Sequence, residues 1–176
     1  MNRDSPSISF WRWFFCGTGG KPGIRRLINA WLLLHLGVGA VLAKIIPIDV
    51  GTAADAVLLP LAAVLVGLSF AWAGNAQALL QATEIEKVAE HHPGGFPDYV
   101  FTFQAAILCI LLTLVVWGFA GFQIFDKVWP TPGEHVAYFG VKVGLFTLSS
   151  LTVRECWHIV LGAQWMLLIR YFIKRQ

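Results

Sequence analysis

The chain has 176 residues, 57% of them hydrophobic and only 13% charged, with a formal net charge of +3. A soluble domain of this length carries roughly 25% charged residues, so there are too few charges here to cover a water-facing surface, and the apolar residues fall in long blocks. This excludes an ordinary soluble domain and predicts an all-α integral membrane protein. Its basic residues gather at the two ends of the chain, a pattern that suits anionic lipid headgroups rather than nucleic acid.

The first 26 residues form a basic, aromatic segment with cytoplasmic or interfacial character. Its apolar patch ISFWRWFF is short, carries Arg12 in the middle and lacks a small-x-small cleavage site, so it does not read as a secretory signal. It predicts an interfacial stretch with Trp11, Trp13 and Phe14 among the headgroups and Arg12 facing lipid phosphate. Cys16 beside it reads as a plain thiol, with lipidation as the sharper alternative. The GTGGKPG run that follows does not succeed a strand, so it reads as a basic hinge rather than a phosphate loop.

A helix needs about 20 mostly apolar residues to cross a bilayer. Four segments meet this in the domain 27–176, which predicts a bundle of four transmembrane helices. The first is Leu27 to Ile46, ended by Pro47, which cannot continue a helical hydrogen-bond ladder. The second runs from about Ala53 to Trp72, and its pattern continues to His91; as one helix it is roughly 58 Å long at about 1.5 Å per residue, so its end is expected to extend beyond the bilayer around residues 74–99. HHPGGFPD is expected to break it. The third spans about Val100 to Phe125 and stops at DKVWPTPGE. The fourth starts near His135 and finds no clear stop before Lys174, so it too exceeds the bilayer.

Orientation follows from the cations. Arg3, Arg12, Lys21, Arg25 and Arg26 precede the first span, Arg170, Lys174 and Arg175 end the chain, and the first loop, PIDVGTAAD, has none. The positive-inside rule then places both termini in the cytoplasm of an inner (plasma) membrane, which requires an even number of spans. Lys127 and Lys142 on the far side oppose the rule without reversing it.

The chemistry-bearing stretch is SSLTVRECWHIVLGAQW, residues 149–165. Residues seven apart share a helix face, which aligns Gly140, Thr147 and Arg154 in one row and Gly144, Leu151 and His158 in the next, with Ser150 close by. An arginine at bilayer depth costs at least about 2.5 kcal/mol on insertion scales, so such a stripe turns toward protein or water. Arg154, Glu155 and His158 are therefore candidates for a pore, a proton path or an anion site, against the plainer reading of a structural ion pair. Asn75, Gln104 and His35 are candidates for the same polar network, with Asn29 and Gln77. Gly67, Ala71 and Gly74, and Gly140 and Gly144 on the last helix, mark small-residue faces for helix packing. Placed at one depth, His35 and His158 are capable of ligating a haem b, the one cofactor alternative. Glu84, Glu86, Lys87, Glu90, His91 and His92 form the polar end of the second helix and are the expected contact for a cytosolic protein partner; there is no HExxH or CxxC spacing for a metal. Without a P-loop, a GxSxG elbow or a cysteine pair, no enzymatic activity is expected.

The expectation is a small homo-oligomeric membrane protein in contact with lipids. It is a channel-like or membrane-perturbing effector working with a cytosolic partner, such as those of bacterial phage defence. The alternatives are a b-haem electron-transfer subunit and a structural accessory subunit of a larger membrane complex.

Overall fold

The computed structural model describes residues 9–17, 22–79 and 95–173, and among them there is helix and connecting turn but no strand. Two short helices open the chain, α1 (Phe10–Cys16) and α2 (Ile24–Leu27). They are followed by α3 (Ala30–Ile45) and α4 (Val50–Ala53); a π-helical stretch over Ala54–Leu58 leads into α5 (Leu59–Leu79). The second half holds α6 (Gly95–Gly121), the short α7 (Ile124–Lys127) and the long α8 (His135–Ile173).

The boundaries follow from local chemistry. Asn29 caps α3, its side-chain oxygen accepting the Trp31 N–H at 2.9 Å. Ile46, held extended by the following Pro47, ends it. The first span is thus shorter than the sequence predicts, because the chain breaks at Ile28–Asn29 between α2 and α3. Pro60 lacks the N–H that would bond back to Ala56. The helix widens just before it, so that Leu59 N–H reaches Ala54 O. At the other end, GFPD opens α6, with Pro97 in the first turn where a missing N–H is harmless; the preceding HHPG lies outside the described residues. α6 stops at Gly121 rather than Phe125, because Gln123 adopts a left-handed backbone with φ 59°.

Among the described residues, two helices are long and apolar enough to cross a membrane, Val100–Gly121 with 22 residues and His135–Phe172 with 38. A third results if Ala30–Ile45 and Val50–Ala56, which meet at a bend of 112°, form one broken span; Leu59–Asn75 is apolar but shorter. Four full spans are therefore met only in part.

α8 is the axis on which the others pack. Trp117 of α6 donates its indole N–H to Ser149 at 2.8 Å, Thr152 donates to Thr113 at 2.8 Å, and Phe103 lies against Gly162. These pairs run α6 antiparallel to α8. α3 is antiparallel to it as well, through His35 against Ser150 and Gly39 against Thr147. Ala73, Leu65 and Val66 of α5 join Cys156 and Ile159 in an apolar cluster on another face. The connecting bends are tied down at the far end of α8. Asp126 accepts the Gly51 N–H at 2.8 Å with one oxygen and the Tyr138 hydroxyl at 2.5 Å with the other, and Val50 N–H donates to the Tyr138 oxygen at 3.0 Å. Buried Lys142 donates to Ile46 O at 2.8 Å and Ile48 O at 3.2 Å. Lys142 thus closes the end of α3, favourably placed at the negative end of a helix.

Two glycines two residues apart make opposite predictions. A β-carbon on Gly39 collides with Thr147 Oγ1 and stands 2.8 Å from Val143 O, whereas one on Gly37 meets nothing within 4 Å. Gly39→Ala is expected to destabilise the protein by about 1–3 kcal/mol and Gly37→Ala to be neutral or slightly stabilising, read from unfolding midpoints in detergent. Equal midpoints would show that α3 and α8 are not so closely packed. Tyr138→Phe strands both Val50 N–H and one Asp126 oxygen, and the same titration is expected to show a loss of about 1–3 kcal/mol.

Candidate functional site

The site is assembled where α3 meets the middle of α8. His35 is buried, and its Nδ1 shares a 2.7 Å hydrogen bond with Ser150 Oγ, the direction set by the imidazole tautomer. Thr147, one turn away, is buried against Gly39 and spends its hydroxyl on Val143 O of its own helix at 2.7 Å. One turn in the other direction stands the ion pair. Arg154 Nε donates to Glu155 Oε1 at 2.9 Å, and Nη2 reaches the same oxygen. Glu155 is 8% exposed. It shares its face of α8 with Cys156 and Ile159, which packs on α5 and α6, so its carboxylate is drawn sideways onto the guanidinium of the preceding residue. Removing one member of a buried pair leaves the other charged and unsolvated, which is the costly case.

The register sets a vertical order. Because His35 is level with Ser150 and Ile46 with Lys142, Arg154 is level with the first turn of α3. The helix that covers Thr147 and Ser150 begins where the ion pair stands. Beyond it, the α3-facing side of α8 is uncovered: Trp157, Trp165, Leu168 and Phe172 are each more than half exposed, and His158 is exposed among them.

Several sequence expectations change accordingly. His158 does not join His35. It lies eight residues past Ser150, about 12 Å along the helix, so the chain does not bring the two imidazoles together around one iron. Asn75 and Gln104 are exposed rather than part of the network. Gly67, Gly74, Gly140 and Gly144 have open space where a β-carbon would point, and Ala71 is exposed, so these positions do not pack the helices of one chain together. The close approaches are at Gly39, Gly51, Gly121 and Gly162 instead. Trp13 and Phe14 are buried on α6, leaving Trp11 and Phe15 outward. Glu84, Glu86, Lys87, Glu90, His91 and His92 lie outside the described residues. No group of three or more potential metal ligands occurs among the described residues.

Sequence reasoning missed Asp126 and Tyr138 and misjudged Lys142. The available signal was a lysine about two turns inside a predicted span, a position that demands a partner. A groove of about 380 Å³ beside the site is lined by Leu32, Leu36, Val116, Phe125 and Leu148, among others. Its walls are apolar apart from Thr147, and neither Arg154 nor Glu155 lines it.

If His35 and Ser150 join α3 to α8 by a real bond, their effects on stability are coupled. A double-mutant cycle with His35→Ala and Ser150→Ala is expected to give an interaction of about 0.6–1.7 kcal/mol, the range for polar pairs between membrane helices; additive losses would show that the contact is incidental. Comparison with protein-family models, with characterised proteins and with solved structures finds no match, so a functional reading rests on this geometry alone.

Proposed function

We propose that the protein is a small four-span membrane module that assembles with further copies of itself and passes ions or protons along a path bordered by Arg154, Glu155, His35 and Ser150. In this reading α3, α5, α6 and α8 are the four spans, with both termini in the cytoplasm. The polar end of the second span receives a cytosolic partner, as in an effector that permeabilises the inner membrane when triggered. The observation that carries the reading is the Arg154–Glu155 pair halfway along the longest apolar helix. Ionised groups at such a depth are functional-site hypotheses by default. The oligomer is supported by Gly140 and Gly144, which have open space where a β-carbon would point and stand at the spacing that lets two membrane helices touch backbone to backbone.

A second reading, a structural subunit of a larger membrane complex, is favoured by the exposed strip of Trp157, Trp165, Leu168 and Phe172. A neighbour from another protein would cover it.

Purified protein reconstituted in liposomes is expected to dissipate an imposed ion gradient. Arg154→Ala and Glu155→Ala are each expected to lower the flux at least about tenfold, the effect of roughly 1.4 kcal/mol on the barrier, while still inserting. Wild-type flux in both variants would remove the path from this site. Recovery of the chain from membranes only in complex with a different protein, without self-association, would favour the structural reading.

A further inference from the structure

α1 and α2 present a second surface, remote from the ion pair. α1 is fixed by its inner face. Trp13 is 1% exposed and donates its indole N–H to Asp98 Oδ1 at 2.7 Å, and its carbonyl accepts the N–H groups of Gly17 and Gly23. Trp13 and Phe14 form an apolar cluster with Ala105, joined by Phe101, Ile24 and Leu27. Gly23 is required there, since a β-carbon would strike the Trp13 ring. These contacts set α1 beside the start of the apolar run Val100–Gly121.

The outer face has a different composition. Trp11 is 56% and Phe15 58% exposed, their rings stacked at 6.1 Å, and Arg12 and Arg25 are exposed beside them. In the sequence, residues 1–29 hold Arg3, Arg12, Lys21, Arg25 and Arg26 against one carboxylate, Asp4. Asp98, the acid among the described residues at the start of α6, is turned inward onto Trp13. Aromatic rings with cations at the end of a spanning helix match the headgroup layer, where rings partition and arginines meet phosphate. The charge balance selects an anionic leaflet over a zwitterionic one.

We propose that the outer face of α1, with Arg12 and Arg25, is a docking surface for anionic phospholipid headgroups, held at the bilayer boundary by the Trp13–Asp98 clamp. The inference needs the chain to be membrane-embedded. It does not depend on conduction, and its test measures no flux.

Cys16 provides the probe, because it is exposed while Cys109 and Cys156 are buried. The full chain carrying a nitroxide on Cys16 is placed in nanodiscs of phosphatidylcholine, or of phosphatidylcholine with phosphatidylglycerol at about three to one. Collision with a water-soluble nickel relaxant is expected to fall about threefold or more in the anionic discs at low salt, and to recover in about 0.5 M salt, where surface charge is screened. Arg12→Gln with Arg25→Gln is expected to lower the affinity for the anionic surface by roughly fivefold for each arginine removed, and so to remove most of the difference between the two lipids. The salt reversal is read on the unsubstituted chain, so the test survives a poorly folding variant. Equal accessibility in both lipids at both salts overturns the proposal. So does a label that becomes shielded only as the protein-to-lipid ratio rises, which would make the face a protein contact.

Discussion

Hydrocarbon offers no hydrogen bonds, so each polar group that enters it has to be answered from within the protein. That constraint organises this chain around α8. Its serines and threonines turn to α6 on one face, at Trp117–Ser149 and Thr113–Thr152, and Ser150 turns to α3 at His35. Its two adjacent ions answer one another. Apolar contact alone does not hold helices together in lipid, because lipid tails are as good a solvent as leucine. Here the directional pairs fix which helix lies on which face and at what height, and glycines at Gly39 and Gly162 let the backbones approach closely enough for those pairs to form.

The same reasoning explains Lys142. Its position opposes the orientation expected from the sequence, yet its ammonium is buried against backbone carbonyls rather than solvated. It caps the last carbonyls of α3 and of the turn after it, while Asp126 gathers the N–H of Gly51 and the hydroxyl of Tyr138 a few residues away. A charge used in this way is a fastening, and it makes the 112° bend between α3 and α4 a fixed angle.

The helical class, the third and fourth apolar helices and the stop at Pro47 were legible in the sequence because they depend on local hydropathy and on proline, which act within a few residues. The long last helix was legible for the same reason. What was not legible depends on rotation and depth. Gly140 and Gly39 look alike in a sequence, and only the packing shows that one is free and the other is pressed on Thr147. His35 and His158 appear at matching distances from the ends of their spans, but α3 begins late, after the break at Asn29, and the register moves the two apart. Arg154 and Glu155 are adjacent in the sequence, and only the packing shows that Glu155 is the buried member of the pair. Asp126 and Tyr138 gave no sign, since one sits in a turn and the other in a first helical turn, where such residues are ordinary.

The fastening at Lys142 has a consequence for biosynthesis. Its acceptor carbonyl at Ile46 lies 96 positions earlier in the chain, and Tyr138 follows Val50 by 88. A ribosome delivers α3 to α5 long before either partner residue exists, so the turn between α3 and α4 stays unfastened until α8 is made. Maturation is therefore back-loaded: a product truncated before residue 135 carries α3 to α6 but lacks the residues that lock the corner between α3 and α4.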